Sequence, residues 1–263
     1  MKYPSLTRRF CLLSVGALAL TSLISGQAWA APITKTVTVQ VYQLCDDAGN
    51  NCASTGPAGN AFFSNETNKI WSQAGIQVIF NFVAQIHSTA FSFLNNSVAG
   101  DGFGDLAGGY GSMGPSSTVI DLFLVRTLAG LFGEGWLGQG GMVIAMDDVM
   151  AFNGGLGRID TIAHEFGHNF GLVPIWLGGD AQGHSSESQN LMASGVWRNV
   201  PSTLAEIDGT RAVIPENHAE LARQSLLLGN AGPAGDGVPE PGSVLLLGSG
   251  LLAVAMARRR RSA

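Results

Sequence analysis

Residues 161–171 read Thr161-Ile162-Ala163-His164-Glu165-Phe166-Gly167-His168-Asn169-Phe170-Gly171. Asp160 or Thr161 supplies a helix start and Gly171 a stop, so a helix is expected through His168 to about Phe170. On such a helix His164 and His168 share one face about a turn apart, and both imidazoles can aim at one ion. Glu165, one residue on, can reach past the first imidazole toward a metal-bound water and accept its proton as general base. The same five residues also arise by chance on helices with two half-exposed histidines and a charge. The segment downstream therefore decides how much weight the pattern carries.

Gly171 allows the sharp turn needed if a third ligand is to come back under a metal. Farther on, Asn190-Leu191-Met192-Ala193-Ser194-Gly195 is polar, closed by glycine, and reads as a turn. His164, Glu165, His168, Gly171 and the Met192 turn together resemble the metzincin clan of zinc endopeptidases. Asn68-Lys69-Ile70-Trp71-Ser72-Gln73-Ala74-Gly75-Ile76 is similar to the helix-to-strand entry of secreted bacterial members. The resemblance implies a zincin-like domain over residues 31–230, with Zn2+ as cofactor and Met192 as an apolar floor beneath the ligands.

The chain departs from the clan at one place. The third histidine belongs three residues after the glycine, and Pro174 stands there with no ligand atom in its side chain. His184 is the nearest candidate, and its spacing to the Met192 turn resembles that of members with the histidine intact. An insertion of ten residues, Pro174 to Gly183, accounts for the displacement, and loops accept insertions at small entropic cost. Asp180 is the second candidate, since carboxylate oxygen also binds zinc. His87 and His218 lack any motif context and read as surface or hydrogen-bonded side chains.

Outward from the motif, Thr36 to Tyr42 alternates β-branched and polar residues and reads as a first strand. A helix is expected from about Ala61 to Ala74, closed by Gly75, and a second strand from Ile76 to Ile86. Val119 to Val125 and Met142 to Met146 read as buried strands. The glycine-rich stretches Gly100 to Gly114 and Gly130 to Gly141 read as surface loops, with the rim of a substrate cleft as the alternative. Pro215 to Leu228 reads as a last helix. The order suits one α/β (α+β) domain: a twisted mixed sheet with an active-site helix, a Met-turn and a C-terminal helix.

The two ends read as processing signals. Met1 to Ala30 has Lys2, Arg8 and Arg9, an apolar stretch from Cys11 to Ile24, and an Ala28-Trp29-Ala30 cleavage site, which makes a signal peptide; Thr7-Arg8-Arg9 leaves a twin-arginine route open. At the other end, residues 231–237 form a linker. Then come Pro239-Glu240-Pro241, an apolar run from Val244 to Ala257 and Arg258 to Arg261. This tail, 238–261, resembles the PEP-CTERM sorting signal of Gram-negative bacteria. It implies export to the envelope or beyond, exosortase processing, and transient membrane anchoring through the apolar run. A plain C-terminal anchor with a positive-inside flank is the alternative.

Residues 31–237 hold seven Lys or Arg against eighteen Asp or Glu, a formal balance of −11, which argues against a nucleic-acid partner. Cys45 and Cys52 are the cysteines of that stretch, and in an oxidising compartment a close pair forms a small disulfide loop. A zinc-blocking cysteine is the functional alternative. The expected activity is endopeptidase cleavage of protein or peptide substrates. A binding or matrix protein that kept the scaffold and lost turnover is the competing reading, and a zinc hydrolase of a non-peptide bond a third.

Overall fold

Alternation along Lys35–Cys45 (β1) puts Val37, Val39 and Val41 on one face, all buried. β1 pairs in parallel with Ile76–His87 (β2) on one side and Val119–Val125 (β3) on the other. β3 in turn pairs in parallel with the later strand Gly141–Ala145, and the short Gly133–Gly135 (β4) lies antiparallel on that strand, called β5. The order β2-β1-β3-β5-β4 gives a twisted mixed sheet with an antiparallel edge beside the helix Thr161–Asn169. This is the computed structural model of the chain, and it describes residues 31–95, 102–110 and 118–232. The expected signal peptide, residues 233–237 of the linker and the sorting tail lie outside the described residues. The chain divides into Met1–Gly229 and Asn230–Ala263, and the sheet with its helices belongs to the first unit.

Apart from Asp121, β3 and β5 are free of polar side chains because both their faces are covered. One face contributes Ile120, Leu122, Leu124, Met142 and Ile144 to the main core, shared with helix Ser64–Trp71 (α1) and helix Thr161–Asn169. The other contributes Phe123, Val125 and Val143 to a smaller cluster with Leu94, Phe103 and Leu106. Trp71 fixes the two main helices to each other: its Nε1 donates to the Ala163 carbonyl at 3.2 Å, and its ring meets Phe170 edge-on. Asn68 ties α1 to β2, donating to the Val78 carbonyl and accepting from the Val78 N–H.

Five expectations are corrected. Residues 103–110 of the stretch read as loop form a helix, Phe103–Tyr110 (α2), because burial of Phe103 and Leu106 outweighs the cost of its glycines. The stretch Gly130 to Gly141 contains β4. The expected second buried strand ends at Ala145, and Met146 begins helix Met146–Gly155 (α3), which departs from helical geometry at Phe152–Gly154. The helix expected from Ala61 starts regular α-geometry at Ser64, since Phe62 and Phe63 adopt positive φ. Thr161–Asn169 is therefore α4, and the last helix is Glu216–Arg223 (α5), shorter than the pattern at 215–228. Cys45 and Cys52 form the expected disulfide. Among the described residues no helix is long and apolar enough to cross a membrane.

Candidate metal centre

α4 is buried along its whole length, and the helical repeat carries His164 and His168 to one face. Gly171 follows at φ +73°, in the left-handed region that ends a helix sharply. Val173, a β-branched residue at φ +54°, then sends the chain outward into Pro174 to Gly183. The excursion closes on itself. The Asp180 carboxylate accepts from the N–H groups of Gln182 and His184, and the Asp180 N–H donates to the His184 carbonyl. His184 is thereby returned to the helix, and the next residue hydrogen-bonds to Met192.

The result is a three-histidine cluster. One ring nitrogen from each of His164, His168 and His184 lies within 4.8 Å of the others, and the ring centroids are 4.9, 5.0 and 5.4 Å apart. Asp180 stands outside the cluster, with its Oδ2 3.6 Å from His184 Nδ1. His164 Nδ1 contacts the Leu191 carbonyl at 2.7 Å, which leaves Nε2 as the atom for a ligand. Burial, first of all, holds the pKa of all three imidazoles below the usual value, His168 at about 4. Neutral imidazoles offer lone pairs, and three of them with a carboxylate alongside form a donor set that fits Zn2+.

Glu165 is also buried, which pushes its carboxyl up to about 8; Arg198, the Gly135 N–H and Arg158 oppose the rise, and Glu134 adds to it. β4 lies against the helix at this point. A Cβ on Gly135 would sit 2.6 Å from the Glu165 carbonyl and 3.2 Å from the His168 Cβ, so only glycine allows the contact. The Asn169 amide holds the same joint from the end of α4, facing the carbonyls of Gln139 and Gly141 at 2.7 Å each.

Met192 is fully buried, packed against α4 at Gly167. A Cβ on Gly167 would overlap the Met192 sulfur, so the glycine inside the helical motif is the seat of the methionine. The Met192 turn is pinned by Asn190, whose side chain accepts from the Met192 N–H at 2.9 Å. His218 is buried and contacts Asn190, whereas His87 is exposed and stands apart from the cluster. Sequence patterns assign no site role to Arg158, Asp160 or Arg198, all three buried, and the two arginines line the same cavity as the histidines. Arg198 Nε is 2.9 Å from Asp160 Oδ2, in ionic contact though not aligned as a hydrogen bond. Isolated charges scattered over forty residues leave no periodic signal.

The cluster opens into a cleft of about 700 Å3 walled by β4 on one side and Ser194–Val196 on the other. The glycine-rich stretch before β5 thus forms part of a cleft wall.

The PEP-CTERM protein-sorting motif matches residues 237–261 and so covers the tail alone. It indicates a secreted protein sorted to the cell envelope. No curated protein matches the chain. Among solved structures, the chain is similar to an archaemetzincin from Methanopyrus kandleri at 17% identity and TM-score 0.39, over 73% of this chain and 96% of that one. A zinc-dependent peptidase from Methanocorpusculum labreanum is similar at 13% identity and TM-score 0.35, over 70% and 99%.

Proposed function

We propose that this chain is an exported zinc-dependent endopeptidase of the metzincin kind, with His164, His168 and His184 as metal ligands and Glu165 as general base. The observation that carries the reading is the convergence of three buried or half-buried imidazoles beside a buried carboxylate, at the floor of an open cleft. When bound, zinc supplies Lewis-acid polarisation of a carbonyl and makes water more acidic. Ionised, as a metal cation beside it would favour, Glu165 takes the proton of the attacking water and passes it to the nitrogen of the leaving amine. Its burial keeps bulk water from competing for that proton. The Leu191 carbonyl orients His164, and the Asp180 loop orients His184.

β4 is the terminal strand of the sheet and lines the cleft, so an extended peptide can run beside it and present one bond to the cluster. The signal peptide and the tail, processed by an exosortase after transient anchoring, would deliver this activity to the envelope or outside the cell.

The test is hydrolysis of an unstructured protein such as casein by the purified chain, with and without a chelator. Cleavage that stops with chelator, returns with zinc and is lost in Glu165→Gln at unchanged zinc content is the expected result. Stoichiometric zinc without chelator-sensitive cleavage would instead favour a binding protein on the same scaffold.

A further inference from the structure

Two guanidinium groups border the cleft, and they are satisfied differently. Arg198 is in contact with Asp160 and faces the carbonyls of Leu191 and Ala193. Arg158 lines the same cleft at 5% exposure, yet among the described residues no carboxylate lies within ion-pair distance of it. Its Nη2 donates to the Gly195 carbonyl at 3.1 Å, while its buried Nε has no hydrogen-bond partner. The guanidinium is held in place by aromatic rings, with its carbon 4.7 Å from the Phe132 centroid and 5.5 Å from that of Phe152.

Asp160 and Glu165 act on this buried cation only through longer-range attraction, so its desolvation is offset by no direct ion pair, and a carboxylate placed on its free donors would supply one. Burial lowers the pKa of Arg158 only to about 10, so the group stays charged near neutrality. Its planar fork, with donors left over and a fixed plane, matches a carboxylate. Gly195 keeps the approach open, since a Cβ there would stand 3.3 Å from Arg158 Nη1.

We propose that Arg158 forms a carboxylate subsite of the cleft, which selects substrates carrying an Asp or Glu side chain, or a free C-terminal carboxylate, beside the scissile bond. This rests on the peptidase reading above. The carboxylate pairs with the Arg158 fork, and the peptide is thereby set in register with the metal cluster.

The experiment uses the zinc-loaded full chain and matched peptides with Glu or Gln at each position flanking the cleaved bond, each with a free or amidated C terminus. The expected result is a preference in kcat/KM of roughly ten- to hundred-fold for the peptide bearing the carboxylate. A preference that follows Glu supports an internal acidic residue as the ligand, and one that follows the free terminus supports the terminal carboxylate. Arg158→Gln brings the ratio close to one. Arg158→Lys keeps the charge without the fork, and retains only part of the preference. Equal cleavage of all peptides by the unsubstituted chain, or an unchanged ratio in a folded Arg158→Gln or Arg158→Lys variant, would overturn the subsite. Should no peptide be cut, the peptidase reading fails, and calorimetric binding of the Glu and Gln peptides to the zinc-loaded chain still decides the subsite. Tighter binding of the Glu peptide that Arg158→Gln abolishes upholds it; equal affinities overturn it.

Discussion

Gly167 shows how closely the residues of this site depend on one another. It lies between the two helical histidines, and the Met192 sulfur occupies the space where a side chain would begin. Gly167→Ala would raise helix propensity, which alone is favourable by up to about 1 kcal/mol. The overlap with Met192 costs more, so a net destabilisation of about 1–3 kcal/mol is expected in chemical denaturation, together with weaker zinc binding. At this scale the sequence was legible where chemistry has spacing. His164, Glu165 and His168 are readable from helical periodicity, and the Met192 turn from its polar, glycine-closed frame. The site of His184 was readable only as one of two candidates, because the path of an inserted loop depends on tertiary contacts such as the Asp180 carboxylate on the His184 N–H. Arg158 was invisible, since its surroundings are Phe132, Phe152 and Gly195, which no local pattern joins.

At the scale of elements, the long strands and the histidine-bearing helix α4 follow from period and composition, whereas α2 and β4 do not. Both are glycine-rich, and each is held by what it meets: α2 by the cluster around Phe103 and Leu106, β4 by β5 and by α4 at Glu165 and His168. Glycine in β4 is the condition for close contact between strand and helix, so the residue type that argues against regular structure locally is required by the packing. Asn169 is the polar joint of that contact, and it is fully buried. Asn169→Ala leaves the Gln139 and Gly141 carbonyls without this donor, and a loss of about 1–3 kcal/mol is expected in urea unfolding. Peptide hydrolysis should fall as well, because the cleft wall loses its anchor to the helix that carries Glu165. A variant as stable and active as the parent would show that β4 is positioned by other means.

At the scale of the whole molecule, an acidic chain with a sorting motif at its tail carries a buried three-histidine cluster in its folded unit. The central claim is that these three side chains, drawn from a helix and from a displaced loop, hold one zinc ion. Metal affinity and folding are linked in such a site, because the ligands converge only in the native state. The most direct measurement is a competitive zinc titration of the full chain alongside His184→Ala and Asp180→Ala. One tight site per chain is predicted, lost in His184→Ala, and weakened no more than about ten- to hundred-fold in Asp180→Ala, which removes only a group that orients a ligand. Tight zinc binding that survives His184→Ala and disappears in Asp180→Ala would contradict the claim.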